Sequence, residues 1–92
     1  MNTVLEVSKI VNIPPDELIA RGMPAFLEKE IRLSELEIAD LRDKYDVASK
    51  EDLYKLIESK SINSHPAWED YITWKNKEKY RKDLEEKLKL IR

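Results

Sequence analysis

Ninety-two residues hold one domain, or one subunit of an assembly, and not two. With 39% charged residues, one glycine, no cysteine and one histidine, the chain lacks the material for hairpin-rich sheets, phosphate loops, disulfides, thiolate nucleophiles and Cys- or His-paired metal sites. The net charge of −2 is unlike that of a whole-surface nucleic-acid binder, although residues 1–46 carry six basic and ten acidic groups and residues 47–92 carry eleven and nine.

The first element begins at Thr3-Val4-Leu5-Glu6, which reads as a capping box with Thr3 as N-cap. Val4, Val7 and Val11, with Leu5 and Ile10 beside them, fall at helical spacing, and a strand over Val4–Ile13 is the competing reading. Pro14-Pro15 ends this segment. Pro15-Asp16-Glu17 opens a second short helix, with proline in the first turn and acids at the positive end of the dipole. Gly22 is expected to stop it as a C′ residue, and Pro24 to start the next helix. Residues 3–22 thus read as a short helical pair. It resembles a helix-turn-helix, but Asp16 and Glu17 stand where phosphates would be met, so a packing or dimerising arm is the better reading.

Residues 24–45 read as a long helix. Leu27, Ile31, Ser34, Ile38, Leu41 and Tyr45 are spaced 4, 3, 4, 3 and 4 apart, a coiled-coil seam with one polar member. Leu27, Ile31, Ile38, Leu41 and Tyr45 are the candidate dimer seam. Phe26, Leu33 and Leu36 widen the stripe, and Glu28–Arg32 and Asp40–Lys44 pair acid before base on the outer face. Ser49 and Asp52 form a weaker capping box for a helix over 50–58, carrying Leu53, Leu56 and Ile57 on one side. A polar loop follows. His65-Pro66 then opens a last helix over 66–90, about 37 Å long at 1.5 Å per residue. Helices of this length overhang a compact globule of this size, which points to elongation, oligomerisation or a partner.

Trp68, Tyr71, Trp74 and Tyr80 are four of the seven aromatic residues, gathered into one stretch of the last helix. They fit a core layer against the 24–45 helix. They also fit a binding surface, since Trp and Tyr dominate interface hot spots. Trp68, Tyr71, Ile72 and Trp74 are the candidate partner contacts. Lys75, Lys77, Lys79, Arg81 and Lys82 form a basic run, in which Lys75, Lys79 and Lys82 share a face that could meet phosphates or an acidic partner. The plain alternative is a solvated face, balanced by Glu78–Lys82, Asp83–Lys87 and Glu85–Lys89. His65, Glu69 and Asp70 could be drawn as an acid–base set, but no nucleophile or metal partner stands at matching spacing. No enzyme, cofactor or metal is expected.

The first twenty residues show no signal-peptide pattern, and no apolar run approaches the ~20 residues of a membrane span, so a cytoplasmic protein is expected. Twelve Lys, twelve Glu and no Gln give a thermophile-like composition.

Three segments carry a resemblance. They are Glu17-Leu18-Ile19-Ala20-Arg21-Gly22 with Ala25-Phe26-Leu27-Glu28-Lys29; Asp43-Lys44-Tyr45-Asp46-Val47 followed by Ser49; and His65-Pro66-Ala67-Trp68-Glu69-Asp70-Tyr71-Ile72-Thr73-Trp74. Together they resemble small prokaryotic, often archaeal, coiled-coil-like proteins predicted as antitoxins beside a toxin gene. The resemblance implies a non-enzymatic protein that binds and masks a cognate toxin, typically with a helix laid across the toxin's active cleft. The chain departs from DNA-binding antitoxins in lacking a basic ribbon–helix–helix strand, which speaks against self-repression.

The expectation is therefore an all-α protein of about five helices. Its two long helices form an elongated antiparallel hairpin or bundle, completed by homodimerisation through the Leu27–Tyr45 seam. Its function is antitoxin-like protein binding through the C-terminal helical region. Nucleic-acid binding by the basic face, or a purely structural coiled coil, are the alternatives.

Overall fold

A computed structural model describes residues 2–91, with side chains from Thr3 onward. The described residues form four α-helices and no strand: α1 (Asn2–Val11), α2 (Pro15–Tyr45), α3 (Lys50–Glu58) and α4 (Ser64–Ile91). The residues expected to be helix or strand at the N-terminus are helix. None of the helices is long and apolar enough to cross a membrane.

The expected count of five helices is corrected to four, because α2 runs unbroken through Gly22 and Pro24. Gly22 has no positive φ and so does not play the left-handed C′ role. Proline inside a helix removes one hydrogen bond and costs about 3 kcal/mol. The flanking residues Glu17 to Arg21 and Ala25 to Leu27, mostly strong helix formers (Glu, Leu, Ala, Arg), carry the helix across that defect. Local punctuation is outweighed by the continuity of the flanking turns.

The true stop of α2 is Asp46, which takes the left-handed conformation at φ 52° while the next amide, Val47 N–H, donates to Arg42 O at 3.1 Å. The short α3 starts as its capping box predicts: Ser49 Oγ accepts from the Asp52 N–H at 3.2 Å. Lys60, at φ 60°, turns the chain after α3. The regular part of α4 starts at Pro66, because His65 has extended backbone angles (φ −116°, ψ 126°) and the His65–Pro66 bond is cis.

α2 and α4 lie side by side and antiparallel, since their polar links step in opposite directions along the two helices. Lys44 meets Asp70, Glu37 meets Lys77, and Glu30 meets Tyr80. α3 packs on α4 at the closed end of this hairpin, and α1 makes a smaller contact with α2. The molecule is accordingly a rod of 58 × 23 × 19 Å with a radius of gyration of 18.9 Å.

The core sits at the closed end. Ile38, Leu53, Ala67 and Trp74 are buried together, with Leu41, Tyr45, Val47, Ile57, Ile62 and Tyr71 packed around them. Leu27 and Leu88 are buried further along the hairpin, and Ser34, the polar member of the seam, is buried between. The Leu27–Tyr45 seam is thus occupied by α4 of the same chain. Ile38 is fully enclosed, and Leu41 and Tyr45 pack on the Trp74 cluster, so the hydrophobic demand read as a dimer seam is met within one chain. Beyond Leu27 and Leu88 the cover thins, and Met23, Leu90 and Ile91 at the open end are exposed, as is Ile10 of α1.

Candidate functional site

The outer surface of the closed end carries an aromatic ladder. Trp68 and Tyr71, three residues apart on α4, stack with ring centroids 5.5 Å apart and planes 22° apart. Tyr54 from α3 leans on both, at 6.3 Å from Trp68 and 5.4 Å from Tyr71. These distances are those of favourable offset and tilted ring pairs, each contributing about 0.5–1.5 kcal/mol. The ladder holds Trp68 in place without burying it: 45% of the residue remains accessible, and Tyr54 is exposed as well. A fixed aromatic face in contact with solvent loses little conformational freedom when something docks on it.

Trp74 leaves this surface. It is fully buried against Ile38 and Leu53, its indole N–H donates to Glu78 Oε1 at 3.1 Å, and the Arg42 guanidinium lies 5.7 Å from its ring. Its position on the edge of the aromatic stripe turns it toward α2 rather than outward. The four expected partner contacts therefore divide into Trp68 and Ile72 at the surface, Tyr71 half-buried on the core, and Trp74 within it. Tyr54 joins the surface group, although it lies on α3 and no spacing along α4 pointed to it.

From Trp68 the exposed face continues down α4. Trp68, Ile72, Lys75, Lys79 and Lys82 are spaced 4, 3, 4 and 3 apart, so they form one stripe, and all five are exposed. The aromatic end of this stripe thus leads directly into three cations. The other two members of the basic run point elsewhere: Lys77 is paired with Glu37 of α2, and Arg81 is half-buried. Among the described residues Arg81 Nε has no hydrogen-bond partner, and Glu85 Oε1 lies 3.7 Å away, an ion-pair distance.

Two polar clamps hold the site on the hairpin. Asp70 receives hydrogen bonds from Lys44 Nζ at 2.7 Å and from the Tyr45 hydroxyl. Burial pushes the Asp70 carboxyl up, but the Lys44 and Tyr45 bonds outweigh it and leave the group below its ordinary value. Burial and the bond to Asp70 raise the Tyr45 hydroxyl, and the bond to Asp70 raises the Lys44 ammonium. In the second clamp, Lys50 at the start of α3 reaches Glu78 Oε2 at 2.6 Å and Glu51 Oε1 at 3.1 Å, and the Glu78 bond raises its pKa. Glu78 thus ties Trp74 and α3 together through its two oxygens.

The imagined acid–base set is not assembled. His65 Nδ1 and Glu69 Oε1 meet at 3.0 Å on the open surface, and Asp70 turns inward to Lys44 and Tyr45. Among the described residues no three His, Cys, Asp or Glu side chains gather as a metal site. A hollow at the α1–α2 turn is lined by Ser8, Lys9, Asn12, Ile13 and Pro14, with Lys9 as its one charged group.

These features define a class: an elongated all-helical protein whose distinctive chemistry lies on exposed helix faces. The family follows from the sequence as a whole. The chain belongs to the family of uncharacterized proteins described as MJ0235, whose model matches residues 1–92. No curated protein and no solved structure matches the chain.

Proposed function

We propose that this protein is a non-enzymatic, antitoxin-like binding module that captures a partner protein with the closed end of its hairpin. The observation that carries the reading is the Tyr54–Trp68–Tyr71 ladder, in which Tyr54 and Trp68 stay open to solvent on a half-buried Tyr71, with Ile72 exposed beside it. Interface hot spots are enriched in such aromatic side chains. The adjoining Lys75, Lys79 and Lys82 favour a partner with an acidic surface, because complementary charge accelerates encounter and fixes register. The sequence resemblance supplies the class of partner, a cognate toxin encoded beside this chain.

The test is co-expression of the full chain with the product of the neighbouring gene. The two proteins are expected to co-purify, and Trp68→Ala is expected to weaken the complex by about 2 kcal/mol or more while leaving helix content unchanged. Failure to co-purify, or a complex indifferent to both Trp68→Ala and Tyr54→Ala, would sink the proposal.

A second reading follows from the same stripe, since an aromatic platform beside lysines also suits single-stranded nucleic acid, by base stacking and phosphate contact. Binding of that kind would weaken steeply with salt, with a slope set by the number of phosphates contacted. No binding to an oligonucleotide at low salt would exclude it.

A further inference from the structure

A second stripe runs along α2 on a side that α4 does not cover. Ile19, Gly22, Phe26, Lys29, Leu33 and Leu36 recur at spacings of 3, 4, 3, 4 and 3, the repeat of a coiled-coil seam. All six are exposed, Phe26 at 55% and Leu36 at 57%, whereas Leu27, Ser34 and Ile38 on the neighbouring stripe are buried against the hairpin. The second position of this exposed stripe holds the chain's one glycine, Gly22. A glycine inside a helix is destabilising relative to alanine. Gly22 lacks a positive φ, and a Cβ placed on it meets nothing within 4 Å. The fold of the single chain therefore has no use for a glycine there, while a large side chain arriving from outside does.

The stripe matches itself. We propose that it pairs antiparallel with the same stripe of a second copy of this chain, about a two-fold axis at the level of Leu27 and Glu28. In that register Ile19 meets Leu36 of the partner subunit, and Leu33 of the partner subunit fills the space over Gly22. Phe26 lies beneath the aliphatic stem and ammonium of Lys29 of the partner subunit, a snorkelling and cation–π contact. Each contact occurs twice, as an isologous interface requires. Parallel pairing would instead set Lys29 against Lys29 and Gly22 against Gly22, a like-charge pair beside a void. This interface differs from the Leu27–Tyr45 seam, which α4 fills, and it leaves the Trp68 ladder free.

Sedimentation equilibrium of the full chain over a concentration series tests the proposal. A monomer–dimer equilibrium is expected, with Leu33→Glu and Gly22→Leu each raising the dissociation constant about tenfold or more. Helix content by circular dichroism should stay unchanged, because both positions are exposed in the single chain. The absence of cysteine allows a register check: a Phe26→Cys chain mixed with a Lys29→Cys chain should cross-link, and an Ile19→Cys chain alone should not. A strictly monomeric wild type, a dimer indifferent to Gly22→Leu and Leu33→Glu, or efficient cross-linking of Ile19→Cys with itself would each overturn the proposal.

Discussion

Trp74 and Trp68 stand six residues apart on α4 and should respond very differently to truncation. Trp74 has no exposed surface and lies in a core cluster with only Ile38, Leu53 and Ala67 as fully enclosed companions. Replacing a buried Trp by Ala costs about 3–5 kcal/mol through lost transfer energy and the cavity left behind. The same change removes the indole donor to Glu78, which keeps its bond from Lys50. Domains of this size have about 5–14 kcal/mol of stability in all, so Trp74→Ala removes a large share of it. Trp68 is 45% exposed, and its truncation forfeits mainly the stack on Tyr71 and Tyr54, about 1 kcal/mol. With a urea m-value of about 1.5 kcal/mol/M, the midpoint should fall by about 2–3 M for Trp74→Ala and by under about 1 M for Trp68→Ala. Urea unfolding followed by far-UV circular dichroism measures both. Fluorescence of the tryptophan that each variant retains gives an independent probe of two-state behaviour. A loss of less than about 1 kcal/mol for Trp74→Ala, or a larger loss for Trp68→Ala, would refute the division into core and surface.

Three further predictions concern the clamp, at its acid and alkaline limits, and the proline. The Asp70 carboxyl lies below its ordinary value of 3.8, so its contribution is present above that value and is lost as pH falls through the lower folded-state value. Asp70→Asn should therefore cost about 1 kcal/mol at neutral pH and flatten the acid limb of a stability–pH curve below about pH 4, a difference read by thermal melts across the acid range. At the alkaline end the sign reverses. The Tyr45 hydroxyl is raised above 10.0, so the stability it brings is complete below that pH and drains away as pH climbs through the raised value. Pro24 interrupts the hydrogen-bond ladder of α2 without ending the helix, and Pro24→Ala should raise stability by about 1–3 kcal/mol in denaturant unfolding. A destabilised Pro24→Ala chain would mean that α2 is broken at this point in solution.

The hairpin was legible in the sequence wherever one signal acted over many turns. The 4–3 repeat from Leu27 to Tyr45 marks a face that the fold does bury, and the Ser49–Asp52 box sits where α3 begins. What the repeat does not carry is the identity of the covering element. A seam looks the same whether a second chain or the chain's own α4 lies against it, because both bury the same surface. Gly22 and Pro24 misled for a related reason. They record a local preference to stop, and the flanking helix formers from Glu17 to Arg21 and from Ala25 to Leu27 together outweigh that preference. In the aromatic cluster, periodicity placed Trp68, Tyr71 and Trp74 within one broad stripe. The helix has to choose which edge of such a stripe turns inward: Trp74 packs on Ile38 of α2, and Glu78, which accepts from both Trp74 and Lys50, ties that edge to α3. Tyr54 was invisible to this reasoning because its partnership with Trp68 depends on how α3 folds back.

The 58 Å length of the rod has a consequence for valence. Trp68 lies just beyond the α2 terminus, because Asp70 sits beside Lys44. The proposed two-fold at Leu27–Glu28 is then about 18 residues away along α2, about 28 Å at 1.5 Å per residue. An antiparallel pair of chains would therefore carry its two Trp68 ladders at opposite tips, about 55 Å apart and joined by stiff helix rather than by linker. A partner that is itself paired at that spacing would meet both tips in one encounter and stay bound through avidity, whereas a single copy would exchange freely.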